Sequence, residues 1–354
     1  MILTSISIVL TAVLSWILVN WILQRAERLR LIQVPNHRSS HSKPTPTGGG
    51  LGIVVAGTLS GAGLTAFSQW QIGWIVLGLA AMLAALGLRD DIKPVPAKMR
   101  FLIQMLICLG LLSAIGQPQL LPIHIDLKLS VIGWALLAFL LLSNVWWINL
   151  FNFMDGIDGI AGSQAVFMLL VGAMLAYAVD PAVISKPVWQ MMLFIAAATT
   201  GFLMMNWPPA KIFMGDVGST WLAFIVFALM LLTVEAGWLS YTSWLVLSAI
   251  FVTDSTVTLI TRMLRHERWY EAHRSHAYQR LSRHWQGDRK AGHRTVTALF
   301  IAINMLWLAP LAWACLQWPE LSIALAVIAY LPLVVAAIWL GAGKPDQELL
   351  NIGV

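Results

Sequence analysis

The sequence contains 354 residues, of which 59% are apolar and only 11% are charged, and its mean hydropathy is +0.77. Soluble domains average about 25% charged residues, so this composition excludes an ordinary soluble protein and predicts a polytopic integral membrane protein. The net charge of +6 lies almost entirely between apolar stretches, which indicates orientation in a lipid bilayer and argues against nucleic acid as a partner.

Apolar windows of about 20 residues predict eleven transmembrane helices, and therefore an all-α fold in a single membrane domain, residues 1–354. The predicted spans lie near residues 3–24, 49–68, 71–88, 100–116, 130–148, 160–179, 188–206, 218–234, 237–261, 295–317 and 320–341. The first span lacks the basic segment and the small-residue cleavage site of a signal peptide, so we expect it to be retained as a helix.

The positions of Lys and Arg orient these spans. If the loop after the first span is cytoplasmic, all of the chain's 22 Lys and Arg residues except Lys128 and Lys186 fall in cytoplasmic segments. Basic residues stay on the cytoplasmic side of membranes, so the amino terminus is expected outside and the carboxyl terminus in the cytoplasm. The same orientation gathers five carboxylates on a cytoplasmic active-site face, namely Asp90, Asp91, Asp155, Asp158 and Asp216.

The segment "GLRDDIKPVPAKMRFLIQ", residues 87–104, ends the third span and begins the fourth. Its adjacent acids, Asp90 and Asp91, could hold Mg²⁺ together with substrate phosphates, and Lys98 could contact a phosphate. The alternative is a helix end with surface salt bridges between these acids and neighbouring basic residues.

The segment "NLFNFMDGIDGIAG", residues 149–162, places four polar side chains at three-residue spacing, namely Asn149, Asn152, Asp155 and Asp158. If the segment is helical, this spacing puts the four side chains near one side, and the glycines between them keep the backbone approachable. The alternative is an Asn/Asp/Gly turn between two spans.

Two further aspartates are candidates for the site. Asp216 lies between two glycines directly before an apolar helix, where it could cap that helix or ligate a metal ion. Its segment, "GDVGST", lacks the Lys of a nucleotide-binding P-loop, which excludes that motif. Asp254 lies inside the ninth span, and an acid within a membrane is a functional candidate unless it is a hydrogen-bonded packing partner.

The last cytoplasmic loop, residues 262–294, contains nine Lys or Arg residues and five His residues. Its segment "EAHRSHAYQRL" supplies His273, Arg274 and His276, whose protonated side chains could bind phosphate through charge-assisted hydrogen bonds. The alternatives are a metal-binding histidine pair and a basic loop that lies on anionic lipid headgroups.

Together these motifs resemble the polyprenyl-phosphate N-acetylhexosamine-1-phosphate transferases, a family that includes the initiators of O-antigen synthesis and the phospho-MurNAc-pentapeptide transferases. The resemblance runs in order through "SSHSKPTPTGGG", "LRDDIKPVPAKMRFLIQ", "NLFNFMDGIDGIAG", "KIFMGDVGS", "FVTDSTVTLITRML" and the His-rich loop. It implies transfer of an N-acetylhexosamine-1-phosphate from a UDP-sugar to undecaprenyl phosphate in the bacterial inner membrane, with release of UMP and with Mg²⁺ or Mn²⁺ as cofactor. The chain could also form a homodimer.

The resemblance also implies roles for individual residues. Asp216 matches the metal-binding aspartate of the family, and Asn152 matches an asparagine that joins it in some members. Asp90 and Asp91 match the essential acidic pair, which is expected either to deprotonate the lipid phosphate or to bind the metal ion.

For the substrates, the resemblance implies that Lys98 binds the pyrophosphate, that Asp158 contacts the nucleoside, and that the ring of Phe213 stacks near uracil. Asn149 and Asp155 belong to the same matched motif, and their roles are less defined.

Two alternatives differ in their sequence requirements. Pentapeptide transferases carry consecutive histidines in the last loop, whereas this chain reads "HRSHAYQRL", which favours the O-antigen type. A membrane transporter usually has repeated halves and binds its substrate near the membrane midplane, whereas this chain shows no repeat and gathers its acids at one face. The sequence leaves the sugar open between GlcNAc and 6-deoxy relatives such as FucNAc or QuiNAc.

Overall fold

The computed structural model describes residues 2–33, 44–115, 133–267, 273–285 and 289–345. Within these ranges the helices are α1 (Ile2–Arg25), α2 (Gly50–Ser68), α3 (Gln71–Ile92), α4 (Ala97–Ile115), α5 (Gly133–Met154), α6 (Ile160–Val179), α7 (Pro187–Asn206), α8 (Asp216–Glu235), α9 (Tyr241–Leu264), α10 (Ala277–His284), α11 (Arg289–Ile303), α12 (Ala309–Gln317) and α13 (Ser322–Trp339). In this described part of the chain, eleven helical segments are long and apolar enough to cross a membrane. This finding confirms the predicted polytopic all-α fold.

Each of the eleven predicted spans corresponds to one of these helical segments, but several helices continue past the apolar window. Helix α3 continues through Asp90 and Asp91, helix α5 continues through Asn149 and Asn152, and helix α8 begins at Asp216. A hydropathy window stops at polar residues, whereas a helix continues as long as those side chains find partners. The span ends predicted at 116 and 130 lie outside the described residues, as does the segment 36–43 of the loop before α2.

Helix α8 lies at the centre of the bundle and is buried along most of its length, with α2, α3 and α5 packed around it. Helices α2, α3 and α8 approach one another closely where the aspartates lie, at an end of the bundle that we call the acidic end. A Cβ atom added to Gly87 of α3 would lie 2.5 Å from the backbone oxygen of Asp216, and one added to Gly50 would lie 2.3 Å from the Cα of Gly218. These glycines therefore let the backbones of α2, α3 and α8 meet at the acidic end.

A short antiparallel ribbon that was not predicted joins β1 (Ile32–Gln33) to β2 (Thr45–Pro46). The segment after β2 pairs with the chain just before α8. The Phe213 N–H donates to the Pro46 carbonyl oxygen at 2.8 Å, and the Gly49 N–H donates to the Phe213 carbonyl oxygen at 2.9 Å. The loop before α2 thus fixes the backbone of Phe213 beside the acidic end.

Helices α11 and α12 form one span, Gly292–Gln317, and are joined by a π-helical turn at Asn304–Leu308. Pro310 follows this turn and has no N–H to donate, so wider turns accommodate it. Asn304 donates a hydrogen bond of 2.7 Å to Gln164 of α6. This contact holds α11 against α6, which begins beside the aspartates.

Candidate active site

The structure brings the five aspartates named above into one cavity of about 890 Å³ at the acidic end. A smaller compartment of about 350 Å³ adjoins it. The two compartments share seven lining residues, namely Gln33, Asp90, Arg100, Asn152, Gly156, Asp216 and His273. Polar groups from helices distant in sequence therefore face one continuous space.

Asp91 caps helix α8 from the neighbouring helix α3. Its Oδ1 accepts a hydrogen bond from the Asp216 N–H at 2.8 Å, and its Oδ2 accepts one from the Val217 N–H at 3.0 Å. Gly215 has a φ of +76°, and a Cβ atom there would lie 2.7 Å from Asp91 Oδ2, so glycine is required at this position. The suggestion that Asp216 caps α8 is wrong, because Asp216 is the first residue of the helix and makes no capping bond.

Arg100 lies between Asp90 and Asp216. Its guanidinium forms an ion pair with the Asp90 carboxylate and lies 3.5 Å from Asp216 Oδ2. Asp90 also accepts a hydrogen bond from the Val95 N–H at 2.6 Å, and the side chains of Asp90 and Asn152 contact the Asp216 carboxyl group. Asp90 and Asp216 thus line both compartments, whereas both oxygens of Asp91 accept hydrogen bonds from backbone N–H groups.

Arg100 was not among the predicted site residues. Lys98, which was predicted instead, is exposed and is absent from the described residues that line either compartment. Gln104 lies one turn after Arg100 on α4 and accepts a hydrogen bond of 2.8 Å from Asn149 of α5, so this face of α4 packs against the polar residues of α5. The assignment of pyrophosphate binding to Lys98 stays a prediction.

The four polar residues of the 149–162 motif divide between two kinds of structure. Asn149 and Asn152 lie on α5, which ends at Met154, whereas Asp155 and Asp158 lie in the turn that follows. The helical arrangement considered for all four therefore applies only to the two asparagines. Burial, and then repulsion from Asp216, Asp91 and Asp158, raises the pKa of Asp155 well above its usual value.

Phe213 lines the larger compartment, next to the turn that contains Asp158. The Asp158 carboxylate accepts a hydrogen bond from the Ala210 N–H at 2.9 Å and lies 3.2 Å from the Nδ1 atom of His293. His293, Asn206 and Gln279 also line this compartment, and sequence reasoning missed all three. No local pattern marks them, because they reach the cavity only through the packing of α7, α10 and α11.

His273 lines both compartments and stacks on His276, with 4.9 Å between the ring centroids. Burial, followed by the charges of His276 and Arg262, lowers the pKa of His273 to about 3. The expectation of a protonated His273 is therefore corrected, since the ring is neutral near pH 7. Its Nδ1 lies 3.0 Å from the Ser275 hydroxyl and accepts from the Ser275 N–H at 3.4 Å, which leaves the proton on Nε2 as a donor.

The remaining candidates lie around this histidine pair. His276 lines the smaller compartment, and Arg274 is exposed and is not among the described lining residues. Asp254 does not line either compartment in the described part of the chain. Its carboxylate lies 3.1 Å from His276 Nδ1 and accepts hydrogen bonds from the Ala277 and Tyr278 N–H groups at 3.0 and 2.8 Å. Asp254 therefore caps α10 and orients His276, which is the packing alternative rather than a substrate contact.

The donor set fits a weakly held divalent cation. Among the described residues, no three His, Cys, Asp or Glu side chains converge as a ready-made metal site. Mg²⁺ commonly takes only one or two carboxylates and completes its shell with water and substrate phosphates. Asp216, with Asn152 in contact, offers such a partial site, and Arg100 is the one Lys or Arg among the described lining residues that faces these acids.

Comparison with known proteins gives the family. Residues 73–234 match the family model described as glycosyl transferase family 4. The chain is 30% identical over 261 residues to a probable undecaprenyl-phosphate N-acetylglucosaminyl 1-phosphate transferase of Bacillus subtilis, covering 72% of this chain and 71% of that protein. It is also similar to phospho-N-acetylmuramoyl-pentapeptide-transferases of Deinococcus radiodurans, at 29% identity over 60% of this chain and 70% of the relative, and of Picosynechococcus, at 30% over 71% and 69%.

The chain therefore belongs to glycosyl transferase family 4. It is a multi-pass membrane enzyme that transfers a sugar phosphate. This membership excludes the transporter alternative.

Proposed function

We propose that the enzyme transfers an N-acetylhexosamine-1-phosphate from a UDP-sugar to undecaprenyl phosphate and releases UMP. The observation that carries this proposal is the convergence of five aspartates, with Asn152 and Arg100, on one cavity of about 890 Å³ at the ends of membrane-spanning helices. A polyprenyl acceptor resides in the bilayer, whereas a nucleotide sugar is soluble in water. Their reaction requires a polar cavity at the membrane surface, which is where these residues lie.

The proposed chemistry is a phosphoryl transfer. An oxygen of the lipid phosphate attacks the β-phosphorus of the UDP-sugar, the bond between the β-phosphorus and the bridging oxygen breaks, and UMP leaves with that oxygen. The product is a lipid diphosphate that carries the sugar. Both reactants are anions, so catalysis depends on holding them in line and offsetting their repulsion.

The residues of the cavity suit these tasks. Arg100 can leave its carboxylate partners for a phosphate, and neutral His273 can donate its Nε2 proton. Asp216 and Asn152 would hold Mg²⁺, which supplies positive charge to the phosphates; Mn²⁺ would occupy the same ligands. Within the acidic pair, Asp90 is the candidate for acting on the lipid phosphate, while Asp91 positions Asp216.

The cellular setting follows from the same reasoning. The charge distribution supports a cytoplasmic acidic end, and the bacterial relatives support the bacterial plasma membrane as the location. The segment "HRSHAYQRL" favours an initiator of O-antigen-type polysaccharide, while relatives named as pentapeptide transferases support peptidoglycan synthesis as the second candidate.

A donor panel tests the proposal. The purified protein in lipid nanodiscs is given undecaprenyl phosphate and, separately, UDP-GlcNAc, UDP-FucNAc, UDP-QuiNAc or UDP-MurNAc-pentapeptide, and the lipid products are resolved by mass. We expect a lipid-diphosphate product with one of the three simple sugars. A product only with the pentapeptide donor would favour the second candidate, and no product with any donor would refute the proposed function.

A further inference from the structure

The turn that carries Asp158 is held by a helix outside the region of the family match. His293 lies on α11, beyond residues 73–234, and its Nδ1 lies 3.2 Å from Asp158 Oδ1. The other carboxylate oxygen accepts the Ala210 N–H at 2.9 Å. One turn further along α11, the Thr297 hydroxyl donates to the Asp158 backbone carbonyl at 2.8 Å. Helix α11 thus contacts both the side chain and the backbone of Asp158.

The same turn is tied to the segment that leads to Phe213. The Gly159 N–H donates to Asn206 Oδ1 at 2.9 Å, and Asn206 Nδ2 donates to the Ile212 carbonyl at 2.9 Å. With the Asp158–Ala210 bond, these contacts make the 155–159 turn and the 206–213 segment one wall of the larger compartment. His293 on α11 contacts this wall at Asp158.

The hydrogen bonding of His293 runs through one nitrogen. Its Nδ1 atom accepts a hydrogen bond of 3.5 Å from the Asp158 N–H and lies 3.2 Å from Asp158 Oδ1, within ion-pair distance of the carboxylate. The Nε2 atom is buried and has no hydrogen-bond partner among the described residues. The polar contacts of this imidazole within the described part of the chain therefore all go to Asp158.

We propose that His293 is a positioning residue for the nucleotide. It fixes the Asp158 carboxylate, and with it the wall that carries Phe213, in the arrangement that receives the nucleoside of the donor. This inference rests on the proposed function, because it takes a UDP-sugar as the occupant of the larger compartment. It assigns no contact with the lipid phosphate, whose binding should not depend on α11.

Three substitutions separate the two nitrogens. The side-chain amide of Asn lies near the position of Nδ1, where it can accept from the Asp158 N–H or donate to the Asp158 carboxylate, and that of Gln lies near the position of Nε2. Loss of the contacts that Nδ1 makes with the Asp158 N–H and carboxylate should raise KM for the UDP-sugar about tenfold in His293→Ala and His293→Gln, equivalent to about 1.4 kcal/mol. We expect KM for the UDP-sugar to stay near the wild-type value in His293→Asn. All three variants should keep kcat within about threefold of the wild type and KM for undecaprenyl phosphate unchanged. His284→Ala, an exposed histidine at the end of α10, is the matched control.

Hydrogen–deuterium exchange of the full-length protein without nucleotide provides a second readout. Exchange in residues 155–162 and 206–213 should rise in His293→Ala and return to the wild-type level in His293→Asn. Unchanged KM for the UDP-sugar in His293→Ala, with normal wild-type transfer, would overturn the role of His293 alone. Equal defects in His293→Asn and His293→Ala would also overturn it. Absence of transfer by the wild-type protein would instead overturn the proposed function, and the nucleotide role of His293 with it.

Discussion

Removal of the Asp91 side chain should destabilise the protein by freeing the first turn of α8. Asp91 accepts two backbone N–H bonds, at 2.8 and 3.0 Å, and a hydrogen bond to a charged group contributes about 1.5–3 kcal/mol. The helix dipole adds about 0.3–1 kcal/mol in favour of a negative charge at this position. Repulsion from the adjacent Asp90 offsets part of this stabilisation, so we expect Asp91→Ala to lower the free energy of unfolding by about 2–4 kcal/mol.

The comparison of variants tests this reasoning. The free energy of unfolding would be measured in mixed micelles by titration with SDS. Asp91→Asn keeps one acceptor oxygen and should lose about half as much as Asp91→Ala. Glu235→Gln, an exposed acid at the other end of α8, should change stability by less than about 0.5 kcal/mol. Equal losses of stability in Asp90→Ala and Asp91→Ala would refute a capping role that is specific to Asp91.

Three further predictions concern the cavity. Asp216→Asn should abolish transfer while the protein still inserts and folds, since a cation with few protein ligands loses one anionic ligand; near-normal turnover at ordinary Mg²⁺ would contradict this. Asp90→Asn should lower kcat by about 100-fold or more, whereas Phe213→Ala should mainly raise KM for the UDP-sugar. Steady-state kinetics that showed the reverse would contradict a catalytic role for Asp90 and a nucleotide-binding role for Phe213. As the pH falls from about 6.5 towards 3, the unfolded chain takes up a proton at His273 that the folded protein does not, so the wild type loses stability. Between pH 7 and pH 5, His273→Asn should therefore lose less stability than the wild type in a thermal unfolding assay. Parallel stability curves for the two proteins would disprove this prediction.

The transmembrane helices could be predicted from the sequence because apolar windows of membrane length admit few other structures. The ends of these helices could not be predicted in the same way, because the polar residues at the acidic end remain helical. Asn149, for example, finds Gln104 on a neighbouring helix as its partner, and such a partner is invisible to a window. The end of α3 was therefore placed before Asp90, although the helix continues to Ile92.

The roles of individual acids were less predictable, because they depend on contacts between distant segments. A sequence suggests that an acid caps the helix that follows it, yet Asp91 caps a helix 125 residues later, and Asp254 caps α10 from within α9. Similarly, Lys98 and Arg100 lie two residues apart at the start of α4, and only the packing of that helix decides which one faces the cavity. Resemblance to a family identified the motif positions, but not which of these residues cap a helix and which face the cavity.

The fate of the β-phosphorus tests the central claim most directly. Wild-type protein in nanodiscs with undecaprenyl phosphate would receive a UDP-sugar labelled with ³²P at the β-phosphate, and the lipid and nucleotide fractions would be separated. The proposed transfer predicts that the label enters the lipid in equal amount to the UMP released, and that both signals disappear in Asp216→Asn. Label that remains in released UDP, with the sugar alone on the lipid, would contradict it.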